Sequence, residues 1–204
     1  MDTQWLTPSQ LDLAAQLWRE RQLVAFPTDT VYGLGAPAFD GLAVLKLYVA
    51  KERTPEKAIP ILIADTSDLP RITMGLPDLA QRLIEQFWPG ALTLVVLKQP
   101  SIPIEVSTTE TVAVRIPDLP LARDLLRRAG PLAVTSANRS AVPNPCTAQE
   151  VIAQLGGRIA AVIDGGRTPG GVPSTVVDCT QAVPVILREG AIANRVRAFL
   201  SRAL

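Results

Sequence analysis

The chain alternates short apolar runs of strand length with segments whose apolar residues recur at helical spacing. No internal repeat or polar linker interrupts this alternation, and the prolines lie mostly between the predicted elements. Interleaved strands and helices are typical of α/β domains, in which helices cover the faces of a sheet. The sequence therefore predicts a single α/β domain over residues 1–204, with a mixed parallel and antiparallel sheet flanked by helices.

The bounds of these elements follow from periodicity and from residues that begin or end them. Helices are expected over 8–21, 78–87, 119–129, 148–155 and 192–200, and strands over 23–26, 59–64, 92–97, 112–116, 132–135, 160–163, 174–179 and 183–187. Thr7 to Gln10 predict an N-cap with Pro8 at the first helical position. Asp40 is expected to cap a further helix, with one apolar face made of Leu42, Leu45, Tyr48 and Val49.

The amino-acid composition excludes several kinds of site. The chain has no histidine, which excludes Ser-His-Asp triads, Cys-His dyads and HExxH zinc sites. The net charge is +1, which argues against a polycation held to nucleic acid by bulk charge. Cys146 and Cys179 lack CxxC spacing and are expected to be reduced thiols. No apolar run approaches the roughly 18 residues of a membrane helix and no export signal is evident, so we expect a soluble, cytoplasmic protein without a membrane partner.

Two segments after predicted elements carry groups suited to anions. Residues 27–35, PTDTVYGLG, combine hydroxyls, a carboxylate and glycines, and can present N–H groups to an anion or an amino acid. A plain turn with glycines for geometry is the alternative. Residues 51–57 hold two of the four lysines beside an arginine, which suits triphosphate oxygens. A solvated basic helix end is the alternative there.

Further polar groups lie at or near the ends of predicted strands. The Thr135–Asn138 segment ends a strand with hydroxyls and an amide, although an ordinary Ser/Thr or Asx turn would look the same. Arg115 lies in an apolar strand and needs a partner, either a protein carboxylate or a ligand. Ser174 follows a glycine-rich loop, and Arg188 ends a strand before a glycine. Together these groups predict a site for an anion and a small polar molecule, with catalysis by positioning and electrostatics, as in nucleotidyl transfer.

Seven motifs in fixed order resemble the YrdC-like threonylcarbamoyl-AMP synthases: PTDTVYGLG, the KxR…K loop, FWPGALTLVV, VAVRIPD, TSAN, GVPSTVVD and LREG. The similarity extends from about Leu11 to Ile192. It implies a twisted mixed sheet around a concave, basic cavity. It also implies an enzyme that uses L-threonine, bicarbonate and ATP with Mg²⁺ to make threonylcarbamoyl-AMP and pyrophosphate. A partner complex then transfers the threonylcarbamoyl group to tRNA, and tRNA itself is a candidate partner of this chain.

The resemblance also implies roles for single residues. Those expected on the threonine side are Thr30, Arg115, Ser136 and Ser174, and Arg115 is a natural partner for the carboxylate. Those expected to contact ATP phosphates and act in catalysis are Lys51, Arg53 and Lys57. Thr111, Asn138 and Arg188 are expected on the nucleotide side.

The sequence departs from the family pattern close to the basic loop. Many relatives continue that loop as K-P-L, whereas Ala58 and Ile59 follow Lys57 here, and some carry a histidine shortly afterwards. These departures bear on the shape of the pocket. Two other functions compete with the enzyme. One is a non-catalytic RNA-binding module, suggested by Arg123, Arg127 and Arg128 on one helix, and the other is a metabolite-binding subunit without turnover.

Overall fold

A computed structural model describes residues 2–52, 54, 58–169 and 171–203 of the chain. The strands are β1 (Gln4–Leu6), β2 (Val24–Pro27), β3 (Tyr32–Pro37), β4 (Ile61–Leu62), β5 (Leu92–Leu97), β6 (Thr111–Arg115), β7 (Leu132–Ser136), β8 (Ala161–Ile163), β9 (Thr175–Asp178) and β10 (Val185–Arg188). The α-helices are α1 (Leu11–Arg19), α2 (Gly41–Lys51), α3 (Leu69–Ile72), α4 (Asp78–Phe87), α5 (Pro120–Ala129), α6 (Ala148–Leu155) and α7 (Ala193–Ala203). Within the described ranges, no helix is both long and apolar enough to cross a membrane.

The strands form one sheet in the order β1-β8-β2-β3-β7-β4-β6-β5-β9-β10. Four neighbouring pairs are parallel, namely β1–β8, β2–β8, β4–β6 and β5–β9. The remaining neighbours pair antiparallel, β9–β10 among them. The single α/β domain with a mixed sheet, predicted from the alternation of elements, is therefore confirmed.

Helices cover the two faces of this sheet unequally. One face packs against α2, α4, α6 and α7, which contribute Leu47, Leu83, Val151 and Val196 to the larger core. The other face packs against α1 and α5 around Trp18 and Phe26, in the smaller core. That smaller core reaches β7 and β4, and beyond them Ala113 and Val176 are only half-buried. This less covered part of the second face is where a ligand can reach the sheet.

Some local predictions were wrong where tertiary packing decided the outcome. In α2 the predicted apolar face is the outer one, since Leu42, Leu45 and Val49 are 62%, 40% and 77% exposed. The sheet instead buries Ala43, Val44 and Leu47, together with Tyr48 from the predicted set. The predicted cap of α2 is confirmed, because Asp40 Oδ1 accepts a hydrogen bond from the Ala43 N–H at 3.2 Å.

The first helix begins later than predicted. It starts at Leu11 rather than at Pro8, and no side chain caps its first turn. The Gln10 side-chain oxygen accepts instead from the Thr7 N–H at 2.9 Å, which makes residues 7–10 a separate turn. The predicted 59–64 strand pairs only at Ile61–Leu62, although all of its apolar residues are buried.

Strand β3 was missed because glycines weaken the strand pattern, and its segment was interpreted as a turn. The glycine allows close packing here, because a β-carbon on Gly33 would lie 2.6 Å from Val134 Cγ1 on the neighbouring strand β7 and would force one of the two to shift. The short elements β1 and α3 also carried too little periodicity to be predicted.

Candidate functional site

A cavity of about 280 Å³ opens on the less covered part of the sheet. Its lining residues come from seven adjacent strands, from β3 to β10 in sheet order, and from the loops beside them. Six of its lining residues carry a hydroxyl group, namely Thr28, Thr30, Thr93, Thr135, Ser136 and Ser174. The charged groups among its described lining residues are Arg115 and Arg188, and none is a carboxylate. The volume is close to the lower end of the range for small-molecule sites, roughly 300–1,000 Å³.

Arg115, the last residue of β6, has three protein partners around its guanidinium. Its Nε donates to the Gly90 carbonyl oxygen at 2.8 Å, and Nη1 donates to Thr30 Oγ1 at 3.1 Å. Its Nη2 forms an ion pair with Asp29 Oδ1 at 2.5 Å. A guanidinium has five N–H donors, so these three bonds leave two for a ligand. Burial lowers the pKa of Arg115, and the nearby Asp29 carboxylate opposes that effect.

The turn between β2 and β3 holds Thr30 beside this guanidinium. Thr28 Oγ1 donates to the Val31 carbonyl oxygen at 2.7 Å and accepts from the Thr30 and Val31 N–H groups. The Thr28 and Thr30 hydroxyl oxygens are 3.0 Å apart. The turn therefore orders its own hydroxyls, and it supplies the carboxylate that Arg115 needs. The sequence left open whether Arg115 pairs with a protein carboxylate or with a ligand. In the structure it pairs with Asp29, a protein carboxylate.

A second polar cluster on the cavity wall lies where β5, β9 and β10 meet. Ser174 Oγ is 2.7 Å from Thr93 Oγ1 and 3.1 Å from Arg188 Nη2. The Arg188 guanidinium also donates to the Ser174 carbonyl oxygen from Nε at 3.1 Å and Nη2 at 2.9 Å. Burial lowers the pKa of Arg188, and the positive charge of Arg115 lowers it further.

The charge of the cavity favours an anion. Two arginines line it, and the charge of Arg115 lowers the pKa of Arg188, while Asp29 pairs with Arg115. A bound anion would relieve the repulsion between the two arginines, and hydroxyls from both clusters can donate hydrogen bonds to it. The charge and the hydrogen-bond donors of this pocket thus suit a small anionic molecule.

The structure places the predicted site residues in two groups. Thr30, Arg115, Ser136, Ser174 and Arg188 all line the cavity. Lys51, Thr111 and Asn138 do not line it. Arg53 and Lys57 lie outside the described residues. The roles assigned to all of them stay predictions, because position alone does not establish a ligand contact.

The residues away from the cavity wall have partners of their own. The Asn138 amide nitrogen donates to the carbonyl oxygens of Arg139 and Val142 at 2.9 and 2.6 Å, so that amide stabilises its own turn. Thr111 lies on the cavity face of β6, but its hydroxyl oxygen is 3.0 Å from that of Thr109. Lys51 is buried against the turn after β7.

The sequence did not single out Thr28, Asp29, Thr93 or Asn144 as site residues. Thr28 and Asp29 lie inside the PTDT motif, and Thr93 lies inside the FWPGALTLVV motif, so the motifs marked the right segments. For Thr93 a usable signal existed, because a polar residue within an apolar strand points to a partner. Asn144 belongs to a proline-rich loop and carried no such signal.

The described residues provide little for a metal held by protein ligands. They contain no group of three or more His, Cys, Asp and Glu side chains that could hold a metal ion.

Comparison with known proteins gives a consistent result. The Sua5/YciO/YrdC family model, described as telomere recombination, matches residues 16–190. A threonylcarbamoyl-AMP synthase of Bacillus subtilis is 48% identical over 188 residues, which are 91% of this chain and 54% of that protein. A threonylcarbamoyl-AMP synthase of Pyrococcus abyssi is 42% identical over 90% of this chain and 54% of its own length.

The structural comparison agrees. The crystal structure of P. abyssi Sua5 complexed with L-threonine superposes with a TM-score of 0.90 at 40% identity, over 92% of this chain and 58% of that one. The chain thus spans about half the length of these two synthases.

Proposed function

The chain belongs to the Sua5/YciO/YrdC family, and on this basis we propose that it synthesises L-threonylcarbamoyl-AMP. The substrates are L-threonine, bicarbonate and ATP, and the products are threonylcarbamoyl-AMP, pyrophosphate and water. One observation carries this proposal: the described residues that line one cavity include two arginines and six serines or threonines and no carboxylate. An amino acid carboxylate and the phosphates of a nucleotide are both anions, so such a cavity suits both substrates.

L-Threonine binds at the Arg115 end of the cavity in this proposal. The two remaining N–H donors of Arg115 hold its carboxylate, because a guanidinium matches a carboxylate in a two-bond geometry. Thr30 is fixed 3.1 Å from the same guanidinium, and Ser136 and Ser174 contribute further hydroxyls. Support for threonine as the substrate comes from the P. abyssi protein, whose structure carries that amino acid.

The chemistry proceeds in two balanced steps. The neutral amine of threonine attacks the bicarbonate carbon and forms a C–N bond. The C–OH bond breaks, and the departing hydroxide takes one proton from the amine, which gives the carbamate and one water. A carbamate oxygen then attacks the α-phosphorus of ATP, and the P–O bond to pyrophosphate breaks with its electron pair leaving on pyrophosphate. No covalent enzyme intermediate is needed, so the chain has only to position the substrates and stabilise charge.

ATP binds towards Arg188 and the basic loop. Arg188 faces the cavity from β10, and Arg53 and Lys57 supply further cations in the proposal. Thr111, Asn138 and Lys51 stay predicted on the nucleotide side from the sequence resemblance alone. Mg²⁺ enters with ATP and is held by its phosphates, since the described cavity wall offers no carboxylate for the ion.

The product constrains the next reaction. Threonylcarbamoyl-AMP is a mixed anhydride, so a transfer step must deliver its acyl group to an acceptor before water hydrolyses the anhydride. In the family that acceptor is tRNA and a partner complex catalyses the transfer, and we propose the same here. Direct contact with tRNA and action in the cytoplasm stay predictions.

The non-catalytic RNA-binding module finds less support in the charges of α5. Arg123 and Arg127 pair with Asp65 at 2.5 and 2.9 Å, and Arg127 also pairs with Asp124 at 2.8 Å. Arg128 pairs with Asp12. Acidic partners thus offset the arginines that suggested a phosphate-binding helix.

One assay tests the proposal against both alternatives. Purified protein is incubated with ATP, Mg²⁺, bicarbonate and labelled L-threonine, and both pyrophosphate and labelled nucleotide product are measured. We expect pyrophosphate release that depends on threonine and on bicarbonate. Binding of threonine and ATP without pyrophosphate release would favour a metabolite-binding subunit, and tRNA binding without either would favour the RNA-binding module.

A further inference from the structure

Lys51, the last residue of α2, reaches the turn that follows β7. Its Nζ contacts the carbonyl oxygens of Ser136 and Asn138, and it lies 3.2 Å from Asn138 Oδ1. A lysine ammonium has three N–H donors, so these three acceptors can take all of them. Only 2% of the residue is exposed, and it is not part of the cavity wall.

From this geometry we propose that Lys51 is a positioning residue, which fixes Ser136 at the cavity wall. The inference rests on the proposed function and deepens it. The resemblance implies that Lys51 contacts ATP phosphates. The geometry instead assigns it to the threonine side of the site, through Ser136.

The peptide group between Ser136 and Ala137 explains how Lys51 acts. The carbonyl oxygen of this group accepts from Lys51 Nζ, and its N–H donates to the Tyr32 carbonyl oxygen at 2.8 Å. Both ends of one planar group are therefore held, and rotation of the group would break both bonds. The orientation of this peptide group is linked to the direction of the Ser136 side chain, because both are bonded to the α-carbon of Ser136.

Other contacts join the end of α2 to the same turn. The Ser140 N–H donates to the Lys51 carbonyl oxygen at 3.1 Å. The Glu52 carboxylate pairs with Arg139 at 2.7 Å and with Arg158 at 2.6 Å. Lys51 is thus part of a connected structure, and swinging its ammonium towards a phosphate would deprive two carbonyl oxygens of their donor in a buried place.

Separate binding measurements test this role. Dissociation constants for L-threonine and for MgATP are measured by calorimetry for wild type, Lys51→Met and Ser136→Ala. We expect Lys51→Met to weaken threonine binding about fivefold or more while MgATP binding stays within about twofold. The double variant should bind threonine little worse than either single one, because both changes remove the hydrogen bond from the Ser136 hydroxyl to threonine. Weakened MgATP binding with unchanged threonine binding would overturn the inference.

Lys46 provides the matched control on the same helix. Its Nζ donates to the Arg21 carbonyl oxygen at 2.7 Å, at an exposed position away from the cavity. Lys46→Met should leave both dissociation constants within about twofold of wild type, since exposed polar contacts contribute little. An equal loss in Lys46→Met and Lys51→Met would show a general effect of charge removal and would overturn the assignment.

A spectroscopic measurement keeps the inference testable if Lys51→Met does not fold. The chain has four lysines, so the Lys51 ammonium signal of ¹⁵N-labelled protein can be assigned with Lys46→Arg, Lys57→Arg and Lys98→Arg. We expect a Lys51 signal that exchanges slowly with water and does not move when pyrophosphate or MgATP is added. A large shift on addition of either would place phosphate on Lys51 and would overturn the proposal.

The outcomes separate this inference from the proposed function. A wild-type protein that binds threonine but makes no product would contradict the enzyme, while the Lys51 pattern could still hold. An active wild type whose Lys51→Met variant loses only MgATP binding would contradict this inference alone. A wild type without threonine binding would contradict both.

Discussion

Gly190 lies so close to Ser174 that a β-carbon on residue 190 would be 2.3 Å from the Ser174 carbonyl carbon. The next N–H groups are bonded to the same segment, from Ala191 to the Pro173 carbonyl oxygen at 3.0 Å and from Ile192 to Thr175 Oγ1 at 3.2 Å. The LREG and GVPSTVVD motifs therefore pack directly on each other. Their contact fixes Ser174 and Arg188 at the cavity.

Gly190→Ala should impair the site through this contact. The added methyl group meets backbone atoms, which cannot move aside as a flexible side chain can. We expect a loss of stability of about 1–3 kcal/mol and a higher KM for threonine, since Ser174 must shift. Thermal unfolding and steady-state kinetics measure the two effects. Gly75→Ala is the control, because no atom lies within 4 Å of a β-carbon there. Equal behaviour of the two variants would contradict the prediction.

Thr93→Val should weaken threonine use while preserving the shape of the core. Thr93 is buried, and its hydroxyl oxygen lies 2.7 Å from Ser174 Oγ. Loss of this hydrogen bond frees the Ser174 hydroxyl to rotate, and we expect the KM for threonine to rise about five- to tenfold. Thr93→Ser keeps the hydroxyl and should stay within about twofold of wild type. A KM for Thr93→Val equal to that of wild type would exclude a role for this pair.

Arg115→Ala should mainly impair threonine use, whereas Arg53→Ala and Lys57→Ala should mainly weaken ATP use. For Arg115 we expect the kcat/KM for threonine to fall about 30-fold or more, since charge-assisted hydrogen bonds contribute roughly 2 kcal/mol. The substitution also leaves Asp29 without its buried ion-pair partner. Arg115→Ala combined with Asp29→Asn separates this loss of stability from the loss of binding. Wild-type kinetics in all three single variants would contradict the assigned roles.

Asp65 should make stability depend on pH in acid. Hydrogen bonds from Arg127 and Arg123 lower its pKa from 3.8 to about 2. The unfolded chain therefore takes up this proton first as the pH falls, so the stabilisation is complete above about pH 4 and is lost as the pH falls through 2. Asp65 is partly exposed, so we expect Asp65→Asn to cost about 1 kcal/mol or less at pH 7.

Chemical unfolding of wild type and Asp65→Asn at several pH values between 2 and 7 measures this dependence. The difference between the two proteins should shrink as the pH approaches 2. Asp12→Asn, at an exposed ion pair with Arg128, is the control and should show a smaller difference. A difference that stays constant over the whole range would show that Asp65 does not act through its charge.

Much of the fold could be predicted from periodicity because long elements bury many residues on one side. Helices α4 and α6 and strand β5 have the predicted bounds, and α5 and β6 lie within one residue of them. The failures lie where local pattern and tertiary packing disagree. In α2 both faces are apolar enough to be buried, and the sheet rather than the spacing selected Val44 and Leu47. In β3 the glycines that allow close packing on Val134 also hide the strand.

For the site, the sequence identified the segments but not all of the side chains. The motifs identified the segments from which Thr30, Arg115, Ser136, Ser174 and Arg188 reach one cavity. They did not indicate that Asp29 pairs with Arg115, because residues 86 positions apart meet only once β6 lies beside the β2–β3 turn. Nor did they indicate that Thr93 supports Ser174, since that contact depends on the pairing of β5 with β9.

The sequence by itself determined the α/β class and the segments that carry the chemistry, because apolar periodicity and motif order are properties of the chain. Only the tertiary structure decided which groups face the cavity and which support it. Ser136 reaches the wall, whereas Lys51 beside it is buried on the carbonyl oxygens of the same turn. The N–H donors of a buried ammonium need hydrogen-bond acceptors. Which acceptors lie within reach depends on contacts between residues that are distant in sequence.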